Sequence, residues 1–551
     1  MKLFGTGIRM RGYRVRLCLL SGAMLGFSFP PFHLGLLACF GLVPLLMVLT
    51  EIEDVRASLK YSYIALLVFH LIALNWTGGY AHMKDPYMML AGALNMTIHP
   101  LFYFLPLGAY AWTKRKIGAG FALAVLPFYW VGYEYSHSLS EWSFPWLTLG
   151  NSQSYDLSRI QFISLTGVWG LSLWILLMNI LAFLLVSGLA SKRFTWKSRA
   201  SLAHVGMLAV LGVLPTIHGT MVLSGAPPVS EGGHIPGERT ITVGMVQANI
   251  DPWEKWKQNP FETVRLYLDR TRGMMERKDI PRPDLIFWPE TAVTYYILTE
   301  AGRGMLEMIM SDLERSDVPV LTGLQHAQFY ADSTKAPPSA RQVRSTGQRY
   351  DVYNAAALLQ PGGGQPRWYG KTKMVPLAER VPYADAFYFL DFLRWDVGIG
   401  GWQIGPEQVV FREEKTDTRF CTVICYESVF PGFVASFVRK GAEFIGIITI
   451  DSWWARMSGA FQHHQIAIFR AVENRRWITR CAVGGISSYI DPFGRVYDAT
   501  ELFTETALSR TIGRSTDLTL YTRFGDWLGI GCLGGSVILL LGILLRRRPA
   551  G

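Results

Sequence analysis

The stretch FCTVICYESVFPG, Phe420 to Gly432, closes an apolar run with Cys425, Tyr426 and Glu427. A cysteine packed as a small hydrophobe needs no polar neighbours, whereas a nucleophilic thiol needs a turn that exposes sulfur and groups that favour thiolate. Two other apolar runs end in complementary groups: FWPE (287–290) ends in Glu290, and YGKTKMVPLAE (369–379) presents Lys371 and Glu379. Singly, the glutamate reads as a cap or solvated group, the lysine as a surface charge and the cysteine as a core residue. Together they suit acyl transfer. A carboxylate with its pKa raised by burial removes the thiol proton, and the thiolate attacks an ester or amide carbonyl. The ammonium and the backbone N–H after the nucleophile stabilise the oxyanion.

Such residues must be brought together by strand ends, where catalytic side chains gather in α/β sheets. Between about Gly237 and Gly513 the chain has the required rhythm. Short β-rich runs at 240–250, 284–290, 318–325, 353–361, 419–427, 444–451 and 481–494 alternate with helical patterns at Pro260–Lys278, Gly302–Arg315, Phe433–Lys440 and Gln462–Arg475. This predicts an α/β domain with a central sheet covered on both faces. PGGGQP (361–366) marks a hairpin turn, and 331–348 reads as a polar surface loop.

The rest of the chain is of another kind. Its 551 residues are 50% hydrophobic and only 17% charged, with a mean hydropathy of +0.20, too apolar for an ordinary soluble protein. Runs long enough to cross a bilayer, about 20 residues each, lie near 17–33, 34–50, 60–77, 87–110, 118–136, 159–188, 201–224 and 526–545. Seven spans (1–224), a polar insert (237–513), an eighth span (526–545) and a tail (546–551) are therefore expected. Lys and Arg fall in alternate connections: Arg9, Arg11, Arg14 and Arg16; Arg56 and Lys60; Lys114 to Lys116; Lys192, Arg193, Lys197 and Arg199; then Arg546 to Arg548. Cationic loops stay cytoplasmic, so both termini are predicted inside and the insert outside. Topology accounts for much of the +11 net charge, and no basic groove suggests nucleic acid. The first run is read as an uncleaved anchor. The insert holds Cys421, Cys425 and Cys481; an odd number on an oxidising face favours a functional thiol, with Cys421 and Cys481 as packing residues. No spacing of metal ligands or nucleotide motif is present, so no metal or cofactor is expected.

The segments VQANIDPWEKW, WPETAV, YGKTKMVPLAERVPY, ICYES and RAVENRRWITR resemble, in this order, the nitrilase or carbon–nitrogen hydrolase superfamily. With an insert between seven spans and one, the chain is similar throughout to the membrane branch of that superfamily, the apolipoprotein N-acyltransferases. The resemblance implies an α-β-β-α sandwich for the insert. It implies Glu290 as general base, Lys371 as oxyanion stabiliser, Cys425 as nucleophile and Glu379 as a second essential glutamate, with Trp256, Tyr426 and Glu427 at substrate-binding positions. The implied reaction is ping-pong. Cys425 takes an acyl chain from a phospholipid as a thioester, then yields it to the amino group of a diacylglyceryl-modified apolipoprotein N-terminal cysteine. The implied location is the bacterial inner membrane, with a periplasmic catalytic domain. Departures occur at PLAE (376–379) for Pro-Phe-Gly-Glu, IDSWWAR (450–456) for Asn-Asp-x-Trp-Phe-Gly, and VGGIS (483–487) for Asn-Thr-Gly-x-Ser. They bear on pocket shape and lid loops and leave Glu290, Lys371 and Cys425 untouched.

Two rival readings use the same features. A membrane-tethered amidase would pass the acyl group to water, but seven preceding spans exceed what a water-soluble substrate requires. A transporter would need buried charges or broken helices in its spans, where His70, His82, His99 and Glu134 are the few polar exceptions. His463 and His464 lack ligand spacing and are read as hydrogen-bonding residues near the site, and Trp453 and Trp454 as packing or lid aromatics.

Overall fold

The computed structural model describes residues 7–228, 239–386 and 401–546. The expected domain start at Gly237 and the tail arginines Arg547 and Arg548 fall outside them. The chain divides into two compact units, Met1–Gly225 with Phe524–Gly551, and Ala226–Arg523.

The first unit is helical. Among the described residues five helices are long and apolar enough to cross a membrane: Val55–Ala73, Pro86–Ile117, Val168–Ala190, Arg199–Gly225 and Trp527–Leu545. The other expected spans also fall on helices, but Gly7–Phe27 begins among arginines, Gly35–Glu51 is short, and Ala119–His137 carries polar residues at its end. Two runs start or break where the backbone demands it. Gly167, at φ 65°, stops the chain before the helix that opens at Val168, so the run predicted from 159 is helical mainly after that point. His99–Tyr103, with Pro100 in its first turn, tightens the run predicted at 87–110 into a 3-10 segment.

Several buried polar groups in this unit pair with one another or with backbone. Lys114, one of the cations of a connection, is buried, and its ammonium donates to the carbonyls of Leu49 (2.8 Å), Thr50 (3.3 Å) and Ile52. It closes the C-terminal carbonyls of helix Val43–Glu51, which lack intrahelical partners. His70, His99 and His137 form a chain of ring-nitrogen contacts at 2.8 and 3.0 Å. Glu134 accepts from the Leu149 N–H (2.8 Å) and Trp130 Nε1 (3.1 Å).

The second unit holds two sheets, as in the α-β-β-α sandwich that the resemblance implies, where strand and helix alternation alone predicts a single central one. The first is seven-stranded, ordered 506–514, 239–247, 285–287, 320–329, 349–359 and 341–342, with 367–370 also on 349–359. The second is six-stranded, ordered 496–497, 488–490, 478–482, 444–449, 418–424 and 410–413. Each has a parallel centre flanked by antiparallel strands. The sheets face each other through Phe287, whose ring centroid lies 5.8 Å from Phe420 and 6.3 Å from Phe444. Gly446 permits this approach, because a Cβ there would lie 2.3 Å from the Phe287 ring. On the outer side of the first sheet, helix Pro260–Glu276 packs Tyr267 against Trp288 at 5.2 Å and bonds Trp288 Nε1 to Thr271 (3.0 Å). The central strands are thus buried on both faces, and such strands read as continuous apolar runs whether a helix or a sheet covers them. That is why one sheet and two give the same sequence pattern. PGGGQP joins the antiparallel pair 349–359 and 367–370, and the loop 331–348 includes a short strand at Arg341–Gln342.

Candidate active site

Three of the expected residues stand just beyond strand ends, and a fourth lies in the loop after one of them. Glu290 follows Leu285–Phe287, Lys371 follows Arg367–Gly370, Cys425 follows Thr418–Ile424, and Glu379 lies eight residues beyond Lys371. Each turn is locally enforced. Glu290 sits in a turn where Thr291 takes φ 46° and where a Cβ on Gly323 would meet the Glu290 Cα at 2.7 Å; only glycine lets the neighbouring strand come so near. Cys425 takes φ 52°, a strained conformation for a non-glycine residue. Its carbonyl accepts from Ser428 Oγ (2.8 Å) and lies 3.1 Å from His463 Nε2. Before Glu379 the left-handed residue is Leu377 (φ 66°) and not Ala378, so the alanine in PLAE meets no φ penalty.

The Lys371 ammonium, fully buried, donates to Glu379 Oε1 at 2.7 Å and lies 3.5 Å from Glu290 Oε1. Glu379 Oε2 accepts from the Val375 N–H (2.9 Å), and Glu290 Oε1 from Asn354 Nδ2 (2.8 Å). Burial disfavours the ammonium, but the Glu379 and Glu290 carboxylates outweigh it and hold Lys371 above the ordinary lysine value. Burial raises the Glu379 carboxyl, and Lys371 opposes the rise. Burial, with Glu290 beside it, also keeps the half-buried Cys425 thiol well above its ordinary value. The site therefore sets a neutral thiol and a lysine ammonium beside the carboxyl groups of Glu290 and Glu379. Such a thiol becomes a nucleophile only if its proton leaves as attack begins, which is the task of a general base.

The remaining expected residues divide. Tyr426 is buried against Phe430 (5.2 Å, edge to face) within electrostatic reach of Glu379. Trp256 is half-buried, and among the described residues its indole N–H has no partner. Glu427, expected at a substrate-binding position, is turned inward. Its Oε1 accepts from Tyr369 Oη (2.6 Å) and the N–H groups of Thr372 (2.6 Å) and Lys373 (3.2 Å), and its Oε2 from the Ile424 N–H (2.8 Å). Burial pushes this carboxyl up to about 7. The structure makes Glu427 the clasp between the Cys425 elbow and the loop behind Lys371, because a fully buried carboxylate must collect donors from its own surroundings. Cys421 and Cys481 are buried, the latter with Sγ 3.4 Å from the Phe287 carbonyl.

Asn354 and Arg480 escaped the sequence reading. Asn354 looks like any residue of a buried strand. His463 Nδ1 lies 2.9 Å from Asp451 Oδ1, and Arg480 bonds both Asp451 oxygens (3.1 and 2.9 Å). Burial works against the Asp451 carboxylate, yet Arg480 and His463 hold it below the usual range. The sequence reading of His463 as a hydrogen-bonding residue near the site matches these contacts, whereas Asn354 and Arg480 gave no signal. His463→Ala should lower stability by about 1–3 kcal/mol through lost buried hydrogen bonds. It should also slow iodoacetamide alkylation of Cys425 roughly ten- to a hundredfold as the elbow relaxes, measured by peptide mass and thermal unfolding.

A two-sheet domain with a cysteine, a lysine and a glutamate just beyond strand ends, and a second glutamate in the loop after the lysine, defines a nitrilase-like hydrolase domain, and the carbon–nitrogen hydrolase family matches residues 242–516. The apolipoprotein N-acyltransferase N-terminal domain family matches residues 21–181. Apolipoprotein N-acyltransferase of Chlorobaculum tepidum is 35% identical over 543 residues, covering 96% of both chains. The Geobacter metallireducens protein of the same name is 28% identical, covering 97% of this chain and 95% of its own. The chain belongs to the apolipoprotein N-acyltransferase family, and it is an acyltransferase with a carbon–nitrogen hydrolase domain. Among solved structures, an amidase from Nesterenkonia sp. is similar at 14% identity over 54% of this chain and 98% of its own, with a TM-score of 0.36.

Proposed function

We propose that Cys425 accepts a fatty acyl chain from a membrane phospholipid and passes it to the N-terminal amino group of a diacylglyceryl-cysteine apolipoprotein, with Glu290 as base, Lys371 as oxyanion partner and Glu379 as the carboxylate that holds Lys371. The observation that carries this reading is the Lys371 ammonium held 2.7 Å from one carboxylate and 3.5 Å from another, beside a thiol at a strained elbow.

In the first half-reaction Glu290 takes the Cys425 proton as sulfur attacks the ester carbonyl, and Lys371 faces the oxyanion. Collapse breaks the ester C–O bond. The departing oxygen takes the proton from Glu290, leaving lysophospholipid and a thioester. In the second half, the acceptor amine attacks the thioester and gives a proton to Glu290. The C–S bond then breaks and the thiol regains the proton. Thiol, carboxylate and ammonium supply every step. Trp256, with its free indole N–H, and Tyr426 are the residues we assign to substrate contact.

Both substrates are lipid-anchored, which suits a catalytic domain carried by a helical unit. We place the protein in the bacterial inner membrane with eight spans, seven in 1–224 and one at 526–545. The 237–513 domain is then periplasmic, and both termini, including the tail from 546, are cytoplasmic, as the alternation of cationic loops requires.

The test is to weigh the purified enzyme after incubation in phospholipid micelles. Wild type should gain one fatty acyl mass and Cys425→Ala none, and a diacylglyceryl-cysteine peptide should remove that mass and gain it. Acyl loss to water alone would make the protein an amidase, and identical behaviour of the two proteins would remove the thioester altogether.

A further inference from the structure

The loop before helix Pro260–Glu276 brings a second lysine to the site. Lys255 is fully buried, and its ammonium donates to the backbone carbonyl of Glu290 (3.0 Å) and to Thr291 Oγ1 (2.8 Å), with the Trp256 ring 5.8 Å away. Taking an ammonium out of water costs several kcal/mol unless other groups compensate. No transfer step above uses it.

Charge and backbone geometry give it a task. The groups that face Glu290 are Lys371, Glu379, the Cys425 thiol, the neutral Asn354 amide and Lys255. Without Lys255 this buried cluster holds two carboxylates against one ammonium. With Lys255 protonated the charges cancel, and they still cancel after Glu290 takes the thiol proton, because the negative charge has only moved to sulfur. The same ammonium fastens both residues of a strained turn. Thr291 is β-branched at φ 46°, a conformation that persists only when its surroundings impose it. Gly323 closes on this turn from the neighbouring strand, and Lys255 holds its carbonyl and hydroxyl.

We propose that Lys255 is a positioning residue for the general base: it anchors the Glu290–Thr291 turn and balances the second carboxylate, so that Glu290 stays ionised and aimed at the Cys425 proton. This rests on the reading of Glu290 as base. Burial pushes the Lys255 ammonium down to about 7, so the brace is charged across the acid range in which a carboxylate base titrates.

The experiment follows the rate of Cys425 alkylation by iodoacetamide against pH, in the full-length enzyme in detergent micelles, with the site read by peptide mass. Removing a nearby positive charge favours the protonated carboxyl, so Lys255→Met should move the acid limb up by about one pH unit, roughly a tenfold slower reaction at a fixed pH on that limb. Lys255→Gln keeps a donor for the two acceptors without the charge, and should show the same shift with less loss of thermal stability. Lys255→Arg should return the limb toward its wild-type position. A purely structural lysine would lower the rate evenly and leave the limb in place, and that result in Lys255→Gln overturns the proposal. Glu290→Gln separates the two readings. Loss of the limb there, with no shift in the Lys255 variants, removes the positioning role and keeps the base, whereas an unchanged limb in Glu290→Gln removes the base itself.

Discussion

Lys371→Met should reduce acyl-enzyme formation by more than about a thousandfold, since it removes an oxyanion partner worth about 10²–10³ and also disturbs the base. The second effect follows from distance. Lys371 lies 3.5 Å from Glu290 and 2.7 Å from Glu379; without it two buried carboxylates face each other, and at least one must take up a proton. A protonated Glu290 cannot accept the thiol proton. Stability should fall as well, by about 3–5 kcal/mol, as for any buried ion pair that loses one partner. This loss has a defined pH dependence. Burial already raises the Glu379 carboxyl, and removing the ammonium raises it further. A carboxyl raised in the folded state contributes stability that is full below its unfolded value and is lost as pH rises through its folded value. The gap between variant and wild type should therefore narrow on acidification, which thermal unfolding at pH 5 and pH 8 would read. Lys371→Met with Glu379→Gln should recover most of the stability and none of the catalysis. Acylation within tenfold of wild type in Lys371→Met would remove lysine from the transition state.

How much of this was readable beforehand depends on which way side chains point. Glu290, Lys371 and Cys425 could be picked out because each breaks an apolar run at its end, where a polar residue needs a reason. Asn354 and Lys255 could not. Asn354 lies inside a strand buried on both faces from Asp351 onward, so alternation gives no face, and Lys255 stands in a polar loop that reads as solvated until the fold lays it on the Glu290 carbonyl. Lys114 shows the same limit: its charge marks a connection, and only the fold turns its ammonium back to helix carbonyls. The helical unit shows the opposite balance. Its apolar runs mark where helices lie, while their ends are set by glycine and proline backbone at Gly167 and Pro100, which an apolar average passes over.

Glu427 is the sharpest case, because its position in the sequence suggests substrate and its geometry suggests a scaffold. All four of its neighbours are donors: the Tyr369 hydroxyl and the N–H groups of Thr372, Lys373 and Ile424. Glu427→Gln is nearly isosteric but places an NH₂ group where only an acceptor fits. Wherever the amide settles, at least one backbone N–H stays unsatisfied, at a cost of about 1–3 kcal/mol. At pH 8, where the carboxylate is ionised, the variant should melt several degrees below wild type. Its kcat should fall about a hundredfold, because Thr372 and Lys373 follow Lys371 directly and a displacement near 1 Å at the reacting groups costs that much. KM for a diacylglyceryl-cysteine peptide should change little. A substrate contact makes the reverse demand, a raised KM with unchanged melting, and that outcome would return Glu427 to the binding surface. The buried clasp ties the Cys425 elbow to the loop after Lys371, and so sets the distance between the proposed nucleophile and its proposed oxyanion partner.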